Sequence, residues 1–403
     1  MNLSARRSLA AVTGLGVTQI IGYGTLFYSF SILAPEMGRD FSQSREWLFG
    51  IFSGTLLIGG LVSPWSGRWA DRFGAGRVMA LGSLAAAVSL ALCAIADQWL
   101  LFAAAMISTG LATPFTLYNT AFAVLVQVDP AAAPRRITYL TLMGGFSSTL
   151  FWPLTSQLLG SLTWQGIFLV YAALHIFICL PIHYWLSLLT RRTDAVVEGT
   201  SSPRSETPGS VPEHSRDAIL MLIAAAFALT SFALSSLLIH MVPVFVAIGL
   251  GAAAVYFGTI FGPSQFASRL INMLLGPRFS PMTVAMFSTA LIPLAFVVLL
   301  LAPPIPLYAA AFIFALLFGM GSGLNSIVLG TLPLSLFGSL GYGQILGRIT
   351  SIRLIVSSIA PFIFAFFLER FGPHLALGVA TGAGLAGLAI FVLVAAMIRK
   401  SEM

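Results

Sequence analysis

The chain has 403 residues, 58% of them hydrophobic and only 8% charged, with a mean hydropathy of +0.95; a soluble domain carries about a quarter charged residues, so a water-soluble domain is excluded. Two cysteines exclude a disulfide scaffold. Few acids and a single lysine exclude a disordered or nucleic-acid-binding tail as the chain's main business, so the net charge of +7 needs another origin.

A spanning helix takes about 20 residues. Hydropathy along the chain predicts twelve, at 9–34, 47–65, 76–96, 100–127, 137–160, 165–189, 218–245, 251–275, 282–302, 307–332, 345–368 and 375–398. The first follows Arg6 and Arg7 in the manner of a signal peptide, but it is too long for an h-region and is read as an uncleaved span. Segments of this length are helices, because lipid offers the backbone no hydrogen-bond partner and a barrel strand needs only about nine to eleven residues. One long polar stretch, 191–217, rich in Ser, Pro, Glu and Arg, interrupts the pattern near its middle. It reads as a linker between an N-terminal half, 1–190, and a C-terminal half, 218–403, of six helices each. The expected fold is therefore all-α, an integral membrane protein of twelve transmembrane helices in two six-helix bundles.

With the N-terminus inside, 15 of the 20 basic residues fall on the inner side, against Arg39, Arg45 and Arg370 outside and Arg269 and Arg353 within spans. Both termini and the linker are then cytoplasmic by the positive-inside rule, and the +7 reflects topology rather than an anionic partner. Trp47, Trp65, Trp69, Trp99, Trp164 and Trp185 sit at span ends as an interfacial belt requires; Trp152 does not. The second half echoes the first. Arg136-Ile137-Thr138 opens span five as Arg348-Ile349-Thr350 opens span eleven, and Gly67-Arg68-Trp69 closes span two as Gly276-Pro277-Arg278 closes span eight. A duplication in the same topology predicts two bundles related by an axis along the membrane normal, with the solute site between them.

The loop after span two reads Gly67-Arg68-Trp69-Ala70-Asp71-Arg72-Phe73-Gly74-Ala75-Gly76-Arg77. A carboxylate one turn from a span end and flanked by arginines is placed to pair across the cytoplasmic seam or to cap a neighbouring helix N-terminus; the alternative is a solvated loop charge. The segment resembles the signature loop of the major facilitator superfamily, G-x-x-x-D-R-x-G-[RK]-[RK], with Gly76 in a usually basic place and Arg77 after it. The resemblance covers the whole chain and implies that Gly67, Asp71, Arg72, Gly74 and Arg77 form a conformational latch, with Asp71 reaching the start of span eleven near Gly347 in the outward-facing state. Within the superfamily, Gly262-Pro263-Ser264-Gln265-Phe266-Ala267-Ser268-Arg269, Gly330-Thr331-Leu332-Pro333 and Phe337-Gly338 resemble the bacterial relatives of the monocarboxylate porters. Those porters commonly have an Asp where this chain has Gln265, and an aromatic-Gly-Trp pattern in span one where it has Gly22-Tyr23-Gly24.

The thirteen acids all fall in loops or at span ends, so no carboxylate is available mid-membrane as a proton relay or a cation-recognition group. That argues against a multidrug cation/proton antiporter and for a facilitator or weakly coupled carrier. Candidate solute contacts are Gln265 and Arg269, which share a face of span eight with Asn272, and Gln19 and Tyr23, in a stripe with Phe27 and Phe30. Tyr118, Asn119, Trp152 and Asn325 are further candidates, and His240, before Pro243, is a gating or solute candidate. Each of the amides reads equally as glue between helices, Arg269 has a structural network and His240 a packing role as its alternative.

His175, Cys179 and His183 have metal-like spacing. The resemblance, however, implies that their helix lies in a lipid-facing support layer, with Cys93 also peripheral, and a soft metal needs two or three thiolates together, so no metal and no cofactor is expected. Gly50-x-x-x-Gly54 and Gly319-x-Gly321-x-Gly323 read as close helix contacts rather than a nucleotide loop. An intramembrane enzyme is disfavoured, since neither His-Glu-x-x-His nor Gly-x-Ser-x-Gly occurs. The expected function is secondary transport of a small-molecule solute across a bacterial inner membrane. The favoured solute is a neutral or mildly anionic planar metabolite such as a riboflavin-like vitamin, taken up by a monomer whose other partner is the lipid bilayer and not nucleic acid. Organic-anion or monocarboxylate transport, and efflux of a toxic compound or trivalent metalloid, are the alternatives.

Overall fold

The computed structural model describes residues 3–199, 207–301 and 306–401. Arg204 and Glu206 of the expected linker, and Glu402, lie outside the described residues. Among the described residues there are no strands, and twelve helical rods follow in chain order. α1 covers 3–40, α2 Arg45–Phe73, α3 Ala75–Ile95, α4 Trp99–Val128, α5 133–159 and α6 164–199. α7 is Arg216–Ala247, α8 Ala254–Leu275, α9 Pro281–Leu300, α10 Leu307–Phe337, α11 Tyr342–Phe371 and α12 Pro373–Ser401. Ten of the rods are long and apolar enough to cross a membrane. The other two are α5, which breaks at Gly145 and Phe146, and α8, which carries Gln265, Arg269 and Asn272.

Local chemistry sets the ends. Ser44, Thr163 and Ser280 accept hydrogen bonds from the backbone N–H groups of Trp47, Gly166 and Thr283, so α2, α6 and α9 start capped. Gly74 (φ +88°) and Gly372 (φ +82°) separate α2 from α3 and α11 from α12 in a conformation that only glycine adopts without strain. Several helices run past the expected spans: α2 continues through the charged loop to Phe73, and α6 runs to Gly199, into the expected linker. Hydropathy marks where a helix leaves lipid, whereas the hydrogen-bond ladder continues until a residue breaks it. α1 and α6 each contain a five-residue π-turn, Gly24–Tyr28 and His175–Cys179, and α4 breaks at Leu117, where the Thr120 hydroxyl takes up the Pro114 carbonyl at 2.7 Å.

The chain divides into two compact units, Met1–Pro208 with Gly338–Ser351, and Gly209–Phe337 with Ile352–Met403. In the first, α3 packs on α4 and α6, and α2 on α4; in the second, α9 packs on α10 and α12, and α8 on α10. The same pairs recur six helices later, as an internal duplication predicts. Each core is built on aromatics: Phe102, Trp164 and Phe168 in the first unit, Phe296, Phe314 and Phe318 in the second.

Candidate functional site

The signature loop and the start of α11 both belong to the first unit. The Asp71 carboxylate accepts hydrogen bonds from the backbone N–H groups of Gly343 (3.0 Å) and Gln344 (2.8 Å). These are among the first donors of α11, which have no partner within their own helix and attract negative charge. Close backbone approach makes this possible. A Cβ on Gly67 would collide with the Gly343 carbonyl, and one on Gly347 would lie 2.5 Å from the Ser63 carbonyl oxygen. One turn deeper, Asn119 of α4 accepts from the Thr350 hydroxyl at 2.8 Å and points its amide at Ser63 Oγ, 3.5 Å away. Gly343 and Gly347 thus form one stripe of α11 against Ser63 and Gly67 of α2, continued by Thr350 against Asn119 of α4. Two small-x-x-x-small spacings, Ser63/Gly67 and Gly343/Gly347, were the available sequence signal for this seam.

The rest of the loop is fixed by groups that sequence reasoning missed. Gln127 bridges both sides of the Gly74 turn, accepting from Ala75 N and donating to the Ala70 carbonyl, each at 2.9 Å. Gly76, the departure from the family pattern, has a steric cause: a Cβ there would lie 2.6 Å from the Ser187 backbone nitrogen, where α3 meets α6. The Arg68 and Arg72 guanidinium groups stack on Trp65 and Phe73, and Arg77 is exposed.

Among the expected solute contacts of the first unit, the rings of Tyr23 and Tyr118 lie 4.7 Å apart, and Tyr118 stacks on Phe122 at 5.0 Å. Trp152 is 47% exposed, with its indole N–H donating to the Tyr28 carbonyl at 3.2 Å. The expected stripe on α1 is not continuous, because the π-turn shifts the register. Gln19 is buried and donates to the Thr116 carbonyl at 2.8 Å, leaving its Oε1 without a hydrogen-bond partner, while Phe30 stacks in the core on Phe52.

The α6 histidines lie on the inward face of their helix. His175 and His183 are both 1% exposed, with His175 Nε2 2.9 Å from Thr25 Oγ1 and His183 Nδ1 2.6 Å from Ser83 Oγ. Cys93 and Cys179 are buried as well. The two imidazoles turn inward because hydroxyls of α1 and α3 satisfy one nitrogen of each, which lipid would not. The π-turn of α1 is pinned a second time by Ser29, which meets Thr155 (2.9 Å) and Tyr171 (3.0 Å).

In the second unit Gln265 donates to Ser322 Oγ at 2.8 Å. Arg269 is 7% exposed, and its Nε donates to the Gly323 carbonyl and to Ser326 Oγ, both at 3.3 Å. Among the described residues Arg269 forms no ion pair, so no carboxylate neutralises it. Asn325, on α10, has a buried Oδ1 without a hydrogen-bond partner. Asn272 does not share the surroundings of Gln265 and Arg269, because its amide lies against Gly276. His240 Nδ1 donates to the Ser236 carbonyl at 2.8 Å, since a carbonyl only accepts, and its ring lies 5.3 Å from Phe364.

The chain is structurally similar to the human organic anion transporter MFSD10 (TETRAN), with a TM-score of 0.72, 16% identity, and coverage of 97% of this chain and 100% of that one. It is also similar to FucP, a Major Facilitator Superfamily transporter solved in the outward conformation, with a TM-score of 0.65, 13% identity, and coverage of 95% and 98%. No curated protein sequence matches it significantly. The Major Facilitator Superfamily sequence pattern matches residues 15–361. A chain with this match, twelve helices and these neighbours belongs to the Major Facilitator Superfamily of transporters.

Proposed function

We propose that the chain carries a small organic anion with a planar group by alternating access, and that Arg269 is the group that receives the anion. One observation carries this reading: Arg269 is a buried guanidinium held only through Nε, with no carboxylate to neutralise it. An arginine inside a membrane helix costs several kcal/mol unless water, carbonyls or an anion meet it, and an incoming carboxylate supplies the missing charge with the planar geometry that guanidinium matches. In the same unit the unpartnered Asn325 Oδ1 supports hydrogen bonding to the solute. A carboxylate carrying a hydrogen-bonding group fits best, and a riboflavin-like vitamin is the second reading. In this reading Asn119 serves the α11 seam rather than the solute, and His240 is a packing group beside Phe364.

The test is uptake into vesicles of a panel of aromatic carboxylates, monocarboxylates and uncharged vitamins, with Arg269→Lys beside the wild type. An ammonium does not reproduce the fork, so Arg269→Lys should lower uptake of the anion at least tenfold. Equal kinetics in the two proteins would remove the anion assignment. The absence of a mid-helix acid supports movement down the solute's own gradient, and an imposed proton gradient that drives accumulation would refute it. The basic-residue asymmetry supports cytoplasmic termini, and the carrier is proposed as a monomer in a bacterial inner membrane. Reporter fusions after residues 130 and 400 should report cytoplasm, and one after Gly372 the outside; a single molecular mass of one chain in detergent checks the monomer.

A further inference from the structure

α8 and α9 follow each other in the chain, yet they do not pack together along their length; both lie against α10 instead. Their counterparts in the first unit, α2 and α3, do pack on each other. Between α8 and α9 this leaves a groove of about 350 Å³, floored by Met320 and Leu324 of α10 and walled by Ile271 and Phe287. The two wall residues are 46% and 55% exposed, so the groove opens at the surface of the second unit.

Its polarity is confined to one end. Along its length the hydroxyls of Ser268 and Thr283 are occupied within their own turns, by the Gln265 carbonyl and by Ser280 Oγ, each at 2.9 Å. At the other end lie the Asn272 amide and the turn Gly276–Arg278, where the exposed Arg278 sits between two residues that line the groove, Gly276 and Phe279. Arg278 makes no ion pair among the described residues. The volume is at the small end of ligand pockets, about 300–1,000 Å³, but such pockets orient a metabolite with several placed polar groups, and here one amide lines an apolar trough whose end is closed by the turn that carries the exposed Arg278. The complementary molecule is an amphiphile with an anionic head and a hydrocarbon tail.

We propose that this groove binds one acyl chain of an anionic phospholipid, with the headgroup phosphate against Arg278. An apolar groove that opens at the exposed apolar surface of a membrane protein is filled by lipid, and an arginine at its end selects the anionic species. A basic residue at a membrane surface is worth roughly 1 kcal/mol toward anionic lipid, equivalent to about five-fold in affinity.

The test is native mass spectrometry of the full chain in detergent, titrated with phosphatidylglycerol, with phosphatidylcholine of the same chains, and with oleate. Wild type should take up a first phosphatidylglycerol about five-fold more tightly than phosphatidylcholine. Arg278→Gln, at an exposed position, should abolish the preference while retaining the binding. Ile271→Trp, which fills the trough, should remove the first adduct of both lipids; Val284→Phe serves as a second filling variant if Ile271→Trp is not monodisperse. The assignment is overturned by equal binding of the two lipids to wild type, by a preference that survives Arg278→Gln, or by a first adduct that survives filling. Displacement of phosphatidylglycerol by equimolar oleate would overturn it in favour of a free amphiphile.

Discussion

The Asp71 contact with α11 yields a quantitative expectation. In Asp71→Asn the side chain keeps one acceptor oxygen for the two N–H groups of Gly343 and Gln344, and turns an NH₂ donor toward the other. A hydrogen bond to a charged group is worth about 1.5–3 kcal/mol and a neutral one about 0.5–1.5, so the change removes about 3 kcal/mol in a shielded site. Asp71 is exposed, and water screens roughly half of that, leaving ~1.5 kcal/mol, or about a tenfold shift away from the state in which α11 is held. Hydrogen–deuterium exchange reads this directly, because the affected donors are backbone amides. The peptide covering 338–351 should exchange about tenfold faster in Asp71→Asn, while peptides of the α9–α10 core, around Phe296 and Phe318, should be unchanged. On the latch reading of the loop, transport should fall without loss of folded protein, since a latch biases a population rather than binding solute. Arg72→Gln, whose guanidinium stacks on Phe73, serves as the control and should leave 338–351 unaffected. Wild-type exchange in 338–351 of a folded Asp71→Asn protein would refute the reasoning.

Gly76→Arg would restore the basic residue typical of the signature loop, but a Cβ 2.6 Å from the Ser187 backbone nitrogen forces α3 and α6 apart. The thermal midpoint should drop by the equivalent of about 1–3 kcal/mol, and an unchanged midpoint would show that α3 does not sit against α6 as described. Gln127→Leu removes both hydrogen bonds that bridge the Gly74 turn. A cost of about 1–3 kcal/mol and faster amide exchange at Ala75 are expected, and exchange at wild-type rates would show the bridge to be dispensable.

The membrane class and the twelve helices were legible because lipid imposes a one-dimensional rule. A segment that spans must be apolar and helical for about 20 residues, and that shows in sequence without knowledge of neighbours. The exceptions have local causes: α5 and α8 are the rods whose breaks and polar groups dilute the hydropathy signal. Asp71 was legible as a charge poised at a span end. Its partners were not, because two backbone N–H groups carry no mark of identity in sequence.

The same limit holds for the polar groups inside the bundles. Gln19, Asn119 and Asn272 are amides in apolar runs, and their spacing does not say whether each meets solute, a carbonyl or a neighbouring hydroxyl. Helix rotation decides that, and a single π-turn such as Gly24–Tyr28 alters it for every residue that follows in the helix. His175 and His183 turned inward because Thr25 and Ser83, distant in the chain, arrive at hydrogen-bonding distance. The amino-acid sequence by itself determined what is buried in lipid and where charge collects, since transfer free energy belongs to each segment alone. Which polar atom faces which was decided only by tertiary structure, because a hydrogen bond needs two groups within about 3 Å and that distance is a property of the packed helices.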